Sequence, residues 1–486
     1  MSTNKKFFVF LGAITSFRLL YAIFLPLAPQ EAYYWNYSRH PALSYFDHPP
    51  MAAYTIKLTT LLGVSNFSIH LAAILISIPL TIALYRLASM LFDEWVGFWS
   101  AVVINITFIY AVGSLVITPD TPLLLFWVLS MIACYRIDRG DSKIWWILLG
   151  IFIGAGFTSK YPIVFAALGA ILFFISSKKR IRWFVTPWPY LASIAAVVVA
   201  FPVIYWNYAN DWASFAFQTS KRTGEMTKFR PDFFFGYIGT VLGIYGLIPI
   251  PLLGVGIWNS IKESFRSFSS KHFLIISFSV PLVLFLLPVS ARSWVKMNWT
   301  APAFIGWFIA AAAYYKQYAS EKKWVRVWGR TSVIFLAVII LIAHIVIGFA
   351  NIVMGSGDYF SGWRELAAKV DSIQNEMPQP YFITGSEYKI PSELAFYLPD
   401  HPETVGPHSI GRDGLQYAYW CNPDTLKGRN AIVIYYSDKK GTGHDDILKG
   451  YFAEVAPVER LNLERNGQPV KGFLIYRCYN YLGKRE

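Results

Sequence analysis

Two carboxylates and a histidine lie close together early in the chain. Glu31 belongs to Gln30-Glu31-Ala32-Tyr33-Tyr34-Trp35, and Asp47 and His48 belong to Ser44-Tyr45-Phe46-Asp47-His48-Pro49-Pro50. A carboxylate can align or deprotonate a hydroxyl nucleophile, and an imidazole can move a proton or face a phosphate. Four-residue spacing puts Glu31, Trp35 and Arg39 on one helix face, and Pro49-Pro50 ends an extended piece that can open a helix from Met51 to Leu62. Further along stand Asp120 in Thr118-Pro119-Asp120-Thr121-Pro122, Lys160 in Thr158-Ser159-Lys160-Tyr161, Arg222, and Lys296 in Lys296-x-Asn298-Trp299. The acids and the histidine suit a loop that performs chemistry, and the cations suit an anion. Structural alternatives stay open at this point. Asp120 also fits a helix cap or an ion-pair partner, and Tyr33, Tyr34, Trp35 and Tyr45 fit a membrane-interface belt as well as a sugar platform.

The elements that must position these residues are read from hydropathy. The chain has 486 residues, 55% hydrophobic and only 15% charged, with a mean hydropathy of +0.41; a soluble domain carries about 25% charged residues. About eleven apolar runs have the length that crosses a bilayer, from Phe7–Ala28 to Thr331–Met354, with Trp95–Ile117 and Phe233–Trp258 among them. The basic start, Met1 to Lys6, runs into the first span as a retained anchor would. With that end inside, Arg136, Arg139, Lys143, Lys178–Arg182 and Lys316–Arg330 fall in inner loops, as the positive-inside rule requires. Lys160, Lys221, Arg222, Lys228, Arg230, Arg292 and Lys296 then face outward, where they suit an anion such as a lipid phosphate. The net charge of +14 is therefore assigned to topology and phosphate, and nucleic acid is excluded. No Gly-rich nucleotide loop and no convincing metal-ligand spacing is present, so no cofactor is expected. From Asp358 hydropathy falls, and the segment reads as an α/β domain with a serine-capped helix over Ser361–Asn375 and strands at Ala431–Tyr436 and Gly472–Tyr476. Cys421 and Cys478 both lie there, and a disulfide between them is left open.

These strings, in this order and on one face, resemble the GT-C superfamily of polyprenyl-phosphate-sugar glycosyltransferases, which includes protein O-mannosyltransferases, aminoarabinose transferases of lipid A and rhizobial-type galacturonic acid transferases. Glu31 is similar to the second acid of the family's first-loop pair. Asp47 and His48 match the acid and the phosphate-facing base of the later Phe-Asp-x-His-Pro-Pro element, and Glu393-Leu394-Ala395-Phe396-Tyr397-Leu398-Pro399 resembles an element of the bacterial branch. The first acid of the pair is replaced by Gln30, which cannot take a proton at neutral pH. The resemblance implies a helical polytopic membrane protein with about eleven spans over residues 1–354, a first outer loop at 29–66, and a periplasmic α/β domain at 355–486. It further implies an inner-membrane enzyme that moves a sugar from a polyprenyl-phosphate carrier to lipid A, lipopolysaccharide core or another envelope acceptor by inverting displacement. Asp47 and Glu31 would then act on the acceptor; Lys160, His48, Arg222 and Lys296 would hold the donor phosphate; Asp120, Tyr45 and Tyr34 would support them. A protein O-glycosyltransferase, an oligosaccharide ligase, a flippase and an inactive assembly factor are the competing readings.

Overall fold

The computed structural model describes residues 1–221, 228–348, 360–437, 444–465 and 468–484. It divides into two compact units, Met1–Ile23 with His48–His344, and Phe24–Asp47 with Ile345–Glu486. The boundary expected near residue 354, and Arg222, lie outside the described residues.

The first unit is helical. Its elements are α1 (Thr3–Phe24), α3 (Met51–Thr59), α4 (Asn66–Leu91), α5 (Glu94–Ile106), α6 (Phe108–Gly113), α7 (Asp120–Arg139), α8 (Ile144–Phe157), α9 (Val164–Ile175), α10 (Trp188–Ala209), α11 (Pro231–Tyr245), α12 (Pro249–Ser267), α13 (Ser270–Ser290), α14 (Ala301–Tyr318) and α15 (Lys323–Gly348); α2 belongs to the second unit. Among the described residues six of them, α1, α4, α7, α10, α13 and α15, are long and apolar enough to cross a membrane, and two bent pairs, Tyr161–Ile175 with Lys178–Val185 and α11 with α12, raise the number to as many as eight.

Two expected spans prove to be broken. Trp95–Ile117 divides at Thr107, whose extended backbone (ψ 132°) separates α5 from α6. Phe233–Trp258 divides at Gly246, where φ of 85° is open to glycine without strain, and α11 meets α12 at 97°. Close crossings rest on small residues, as is usual between helices in lipid. A Cβ on Gly150 of α8 would lie 2.1 Å from the Ala192 carbonyl oxygen of α10, and one on Gly154 would lie 2.6 Å from that of Ala196.

The second unit joins α2 (Pro29–Arg39) to an α/β domain. Strands β1 (Tyr381–Gly385), β2 (Asn430–Tyr436), β3 (Phe452–Val455), β4 (Glu459–Arg465) and β5 (Gln468–Tyr481) form one sheet in the order β1-β2-β5-β3, with β4 also paired to β5. The β1–β2 pair is parallel and the others are antiparallel. Helices α16 (Trp363–Gln374) and α17 (Lys389–Tyr397) contribute Leu366, Val370, Ile390 and Leu394 to a core with Ile432, Ile434 and Phe473. The serine cap expected for α16 is corrected: Gly362 is its N-cap, with φ of 89° and no side-chain bond. Cys421 and Cys478 are free thiols.

Candidate active site

Each unit gathers one polar centre from the residues singled out in the sequence. In the second unit, Pro29 occupies the first turn of α2, where its missing N–H loses nothing. Tyr33 and Tyr37, one helical turn apart, then point the same way. The chain returns through residues 40–46 and delivers Asp47 between their hydroxyls. Tyr33 donates to Asp47 Oδ1 at 3.0 Å, and Tyr37 donates a shorter bond to the same oxygen. Burial first, and then the neighbouring Asp47 charge, hold both phenols well above their ordinary range. They are therefore protonated donors, and Asp47, 7% exposed, is held by them as an acceptor.

The cradle is itself supported. The Tyr45 hydroxyl donates to the Tyr37 and His40 carbonyls at 2.8 and 3.1 Å, and the Gln416 side-chain oxygen accepts from the Phe46 N–H at 2.6 Å. Gln416 N–H in turn donates to the Tyr33 hydroxyl at 3.1 Å. Tyr33, Tyr34, Trp35 and Tyr45 are all buried, so in this structure their rings serve as packing, that of Trp35 against Phe396 and His401, and not as open platforms.

Glu31 is also fully buried, and its Oε2 accepts from Ala28 N–H at 3.2 Å at the head of α2. Arg39 stacks over Trp35, as the shared face predicts, with its guanidinium carbon 5.0 Å from the ring centroid. Arg39 also bonds Glu403 at 2.6 Å, and His40 stands 3.3 Å from the same carboxylate. The bond to Glu403 raises His40 above its ordinary 6.5, and the bond to His40 lowers Glu403 below its ordinary 4.5. The His40 contribution is lost as pH rises through its raised value, and the Glu403 contribution as pH falls through its lowered value. Both are present between pH 4.5 and 6.5. Glu403 is largely exposed, so the pair is worth only about 0.2–1 kcal/mol. His40→Ala should flatten the decline of Tm above that window; an unaltered Tm–pH curve would show that the contact contributes nothing.

In the first unit, Pro119 leads into α7 and places Asp120 at its first residue. Between α8 and α9, Lys160 takes an extended backbone (φ −162°, ψ 137°) that turns its side chain out of the helical path. Lys160 Nζ donates to both Asp120 carboxylate oxygens, at 2.8 and 2.7 Å, and Asn298 Nδ2 donates to Oδ2. The pair is 8% and 9% exposed. Two of the three ammonium donors are thereby used. The same turn is tied to the aspartate–histidine string: Met51 N–H donates to the Thr158 carbonyl at 3.0 Å, so the end of His48-Pro49-Pro50 adjoins Thr158-Ser159-Lys160. His48 is half-buried and Lys296 is exposed, two residues before Asn298. No cluster of three or more His, Cys, Asp or Glu that could hold a metal occurs among the described residues.

Residues not singled out as site members are Tyr37, Asn298, Gln416 and Glu393. The signals for the first two were present: the four-residue spacing from Tyr33 and the Lys296-x-Asn298 string. Glu393, in α17, is 1% exposed, and neither of its carboxyl oxygens has a hydrogen-bond partner among the described residues.

The chain is a multi-pass membrane protein with the GT-C fold. ArnT from Cupriavidus metallidurans superposes over 98% of both chains with a TM-score of 0.67 at 11% identity, and the same protein bound to undecaprenyl phosphate gives 0.66. An archaeal oligosaccharyltransferase, AglB from Archaeoglobus fulgidus, gives 0.55 over 91% of this chain and 71% of its own. Residues 47–206 match the family described as dolichyl-phosphate-mannose-protein mannosyltransferase. Among curated relatives, the lipid A galacturonosyltransferase RgtD of Rhizobium johnstonii is 23% identical over 58% of this chain and 59% of its own length. The undecaprenyl phosphate-alpha-4-amino-4-deoxy-L-arabinose arabinosyl transferase of Photorhabdus laumondii is 26% identical over 50% of this chain and 45% of its own.

Proposed function

We propose that this chain is a glycosyltransferase that moves a sugar from a polyprenyl-phosphate carrier to lipid A or lipopolysaccharide core, at the periplasmic face of a bacterial inner membrane. The observation that supports it most is the state of Asp47. It is the acid of Phe46-Asp47-His48-Pro49-Pro50, it begins the stretch similar to the mannosyltransferase family, and two buried tyrosine hydroxyls hold its carboxylate as an acceptor.

In this reading the acceptor oxygen attacks the anomeric carbon, the bond to the carrier phosphate breaks, and configuration inverts. Asp47 aligns the acceptor hydroxyl and takes its proton; Glu31 is the second choice. Where the acceptor is already an anion, no base is needed, which suits the loss of an acid at Gln30. Lys160 and His48, in adjoining turns, stabilise charge on the leaving phosphate, with Arg222 and Lys296 as helpers. Lys160 would offer the phosphate its third N–H while Asp120 and Asn298 fix its position. Tyr34 and Tyr45 support the acid.

A protein acceptor is the second reading, favoured by the description of the matching family. Mass spectrometry of lipid A, core glycan and envelope proteins from a deletion strain separates the two. Loss of one sugar from lipid A or core is expected. Loss from a protein alone would move the acceptor, and an unchanged envelope would remove the proposal.

A further inference from the structure

Of the three buried acids described in the second unit, Glu31 and Glu393 share one helix interface, and Asp47 is held apart from it by Tyr33 and Tyr37. Trp35 of α2 packs edge-on against Phe396 of α17 at 5.2 Å, Tyr33 lies 4.6 Å from Tyr388, and Asn36 Nδ2 donates to the Ser392 carbonyl at 3.4 Å. Glu31 is one turn before Trp35, and Glu393 is three residues before Phe396, so both side chains fall on the faces that meet. Their surroundings are unequal. Glu31 accepts an N–H bond at the head of α2, where the helix dipole favours an anion. Glu393 is 1% exposed and has no hydrogen-bond donor for either oxygen among the described residues. Two carboxylates in one dry interface cannot both ionise cheaply, so the one without a donor keeps its proton.

We propose that Glu31 and Glu393 form a one-proton carboxyl pair, in which Glu393 is the positioning residue that holds the shared proton. Burial pushes the Glu393 carboxyl well above the ordinary range. Lys471 of β5 opposes this, and the Glu31 carboxylate, a smaller influence, pushes it up again. The shared proton therefore resides on Glu393. The catalytic use of the pair rests on the transferase reading above; its protonation does not.

The test is an infrared pH titration of the full chain in lipid nanodiscs, for wild type, Glu393→Gln and Glu31→Gln. A protonated-carboxyl carbonyl band should persist at neutral pH, vanish in Glu393→Gln, and titrate at lower pH in Glu31→Gln. A group whose pKa is raised on folding stabilises only at low pH. Wild-type Tm should therefore fall as pH rises, and Glu393→Gln should flatten that fall. A band that survives Glu393→Gln, or a midpoint that Glu31→Gln leaves in place, overturns the pair. A band that behaves as expected in a protein without detectable sugar transfer upholds the pair and removes the transferase reading instead.

Discussion

Asp47→Asn lowers sugar transfer by roughly 10²–10⁴-fold, the usual contribution of a positioned general base, with little change in Tm. The amide keeps an oxygen that accepts from Tyr33 and Tyr37, so the cradle and the packing of α2 survive. What it loses is the capacity to take a proton. The effect belongs in single-turnover rate at saturating donor, because Asp47 acts on the acceptor oxygen and not on the carrier phosphate. A fall of less than about threefold, with folding intact, would show that the nucleophile arrives already ionised or that Glu31 is the base.

Lys160→Met carries the largest expected loss of stability. It leaves Asp120 buried with only Asn298 as donor, and breaking a buried pair from one side typically costs about 3–5 kcal/mol. That loss alone would not separate a structural lysine from one that meets phosphate. The double variant Lys160→Met/Asp120→Asn does, because it replaces the charged pair by a neutral one that Asn298 can still bond. Folding, read as Tm in detergent, should recover most of the loss. Transfer should stay roughly 10²–10³-fold down, the cost of removing one donor from a developing oxyanion. Recovery of both would make Lys160 a structural partner of Asp120 and nothing more.

Much of this architecture was legible because lipid leaves a simple signature. Long apolar runs gave α1, α4, α7, α10 and α13 to within a few residues, whereas α15 starts eight residues before the expected Thr331 because its first two turns carry Lys323, Arg326 and Arg330, and the left-handed Gly140 that ends α7 follows Arg136 and Arg139 as a helix terminus should. The breaks at Thr107 and Gly246 were not legible, since hydropathy sees one continuous apolar run on either side of a single backbone turn. Strand β2 was readable as a buried apolar run. Strand β4, Glu459–Arg465, has too many charged residues to stand out, and its pairing with β5 is a tertiary fact.

The site divides in the same way. Residue type and spacing singled out Glu31 and Asp47, the resemblance added Asp120 and Lys160, and the ion-pair alternative for Asp120 is what the structure contains. The tyrosine cradle was missed although Tyr33 and Tyr37 are one turn apart. Their shared partner arrives only after the chain has turned back through Tyr45 and Phe46. Glu393 opens the Glu393-Leu394-Ala395-Phe396 string, yet its lack of a partner among the described residues follows from the packing of α17 against α2, which no local pattern encodes.

The central claim is tested most directly with the purified chain in lipid nanodiscs, given lipid A and a polyprenyl-phosphate donor carrying radiolabelled galacturonic acid or 4-amino-4-deoxyarabinose. The account predicts that label moves to lipid A from one of these donors, with release of polyprenyl phosphate in equal amount. Label that stays on the carrier with both donors, in a protein whose Tm shows it folded, would contradict it.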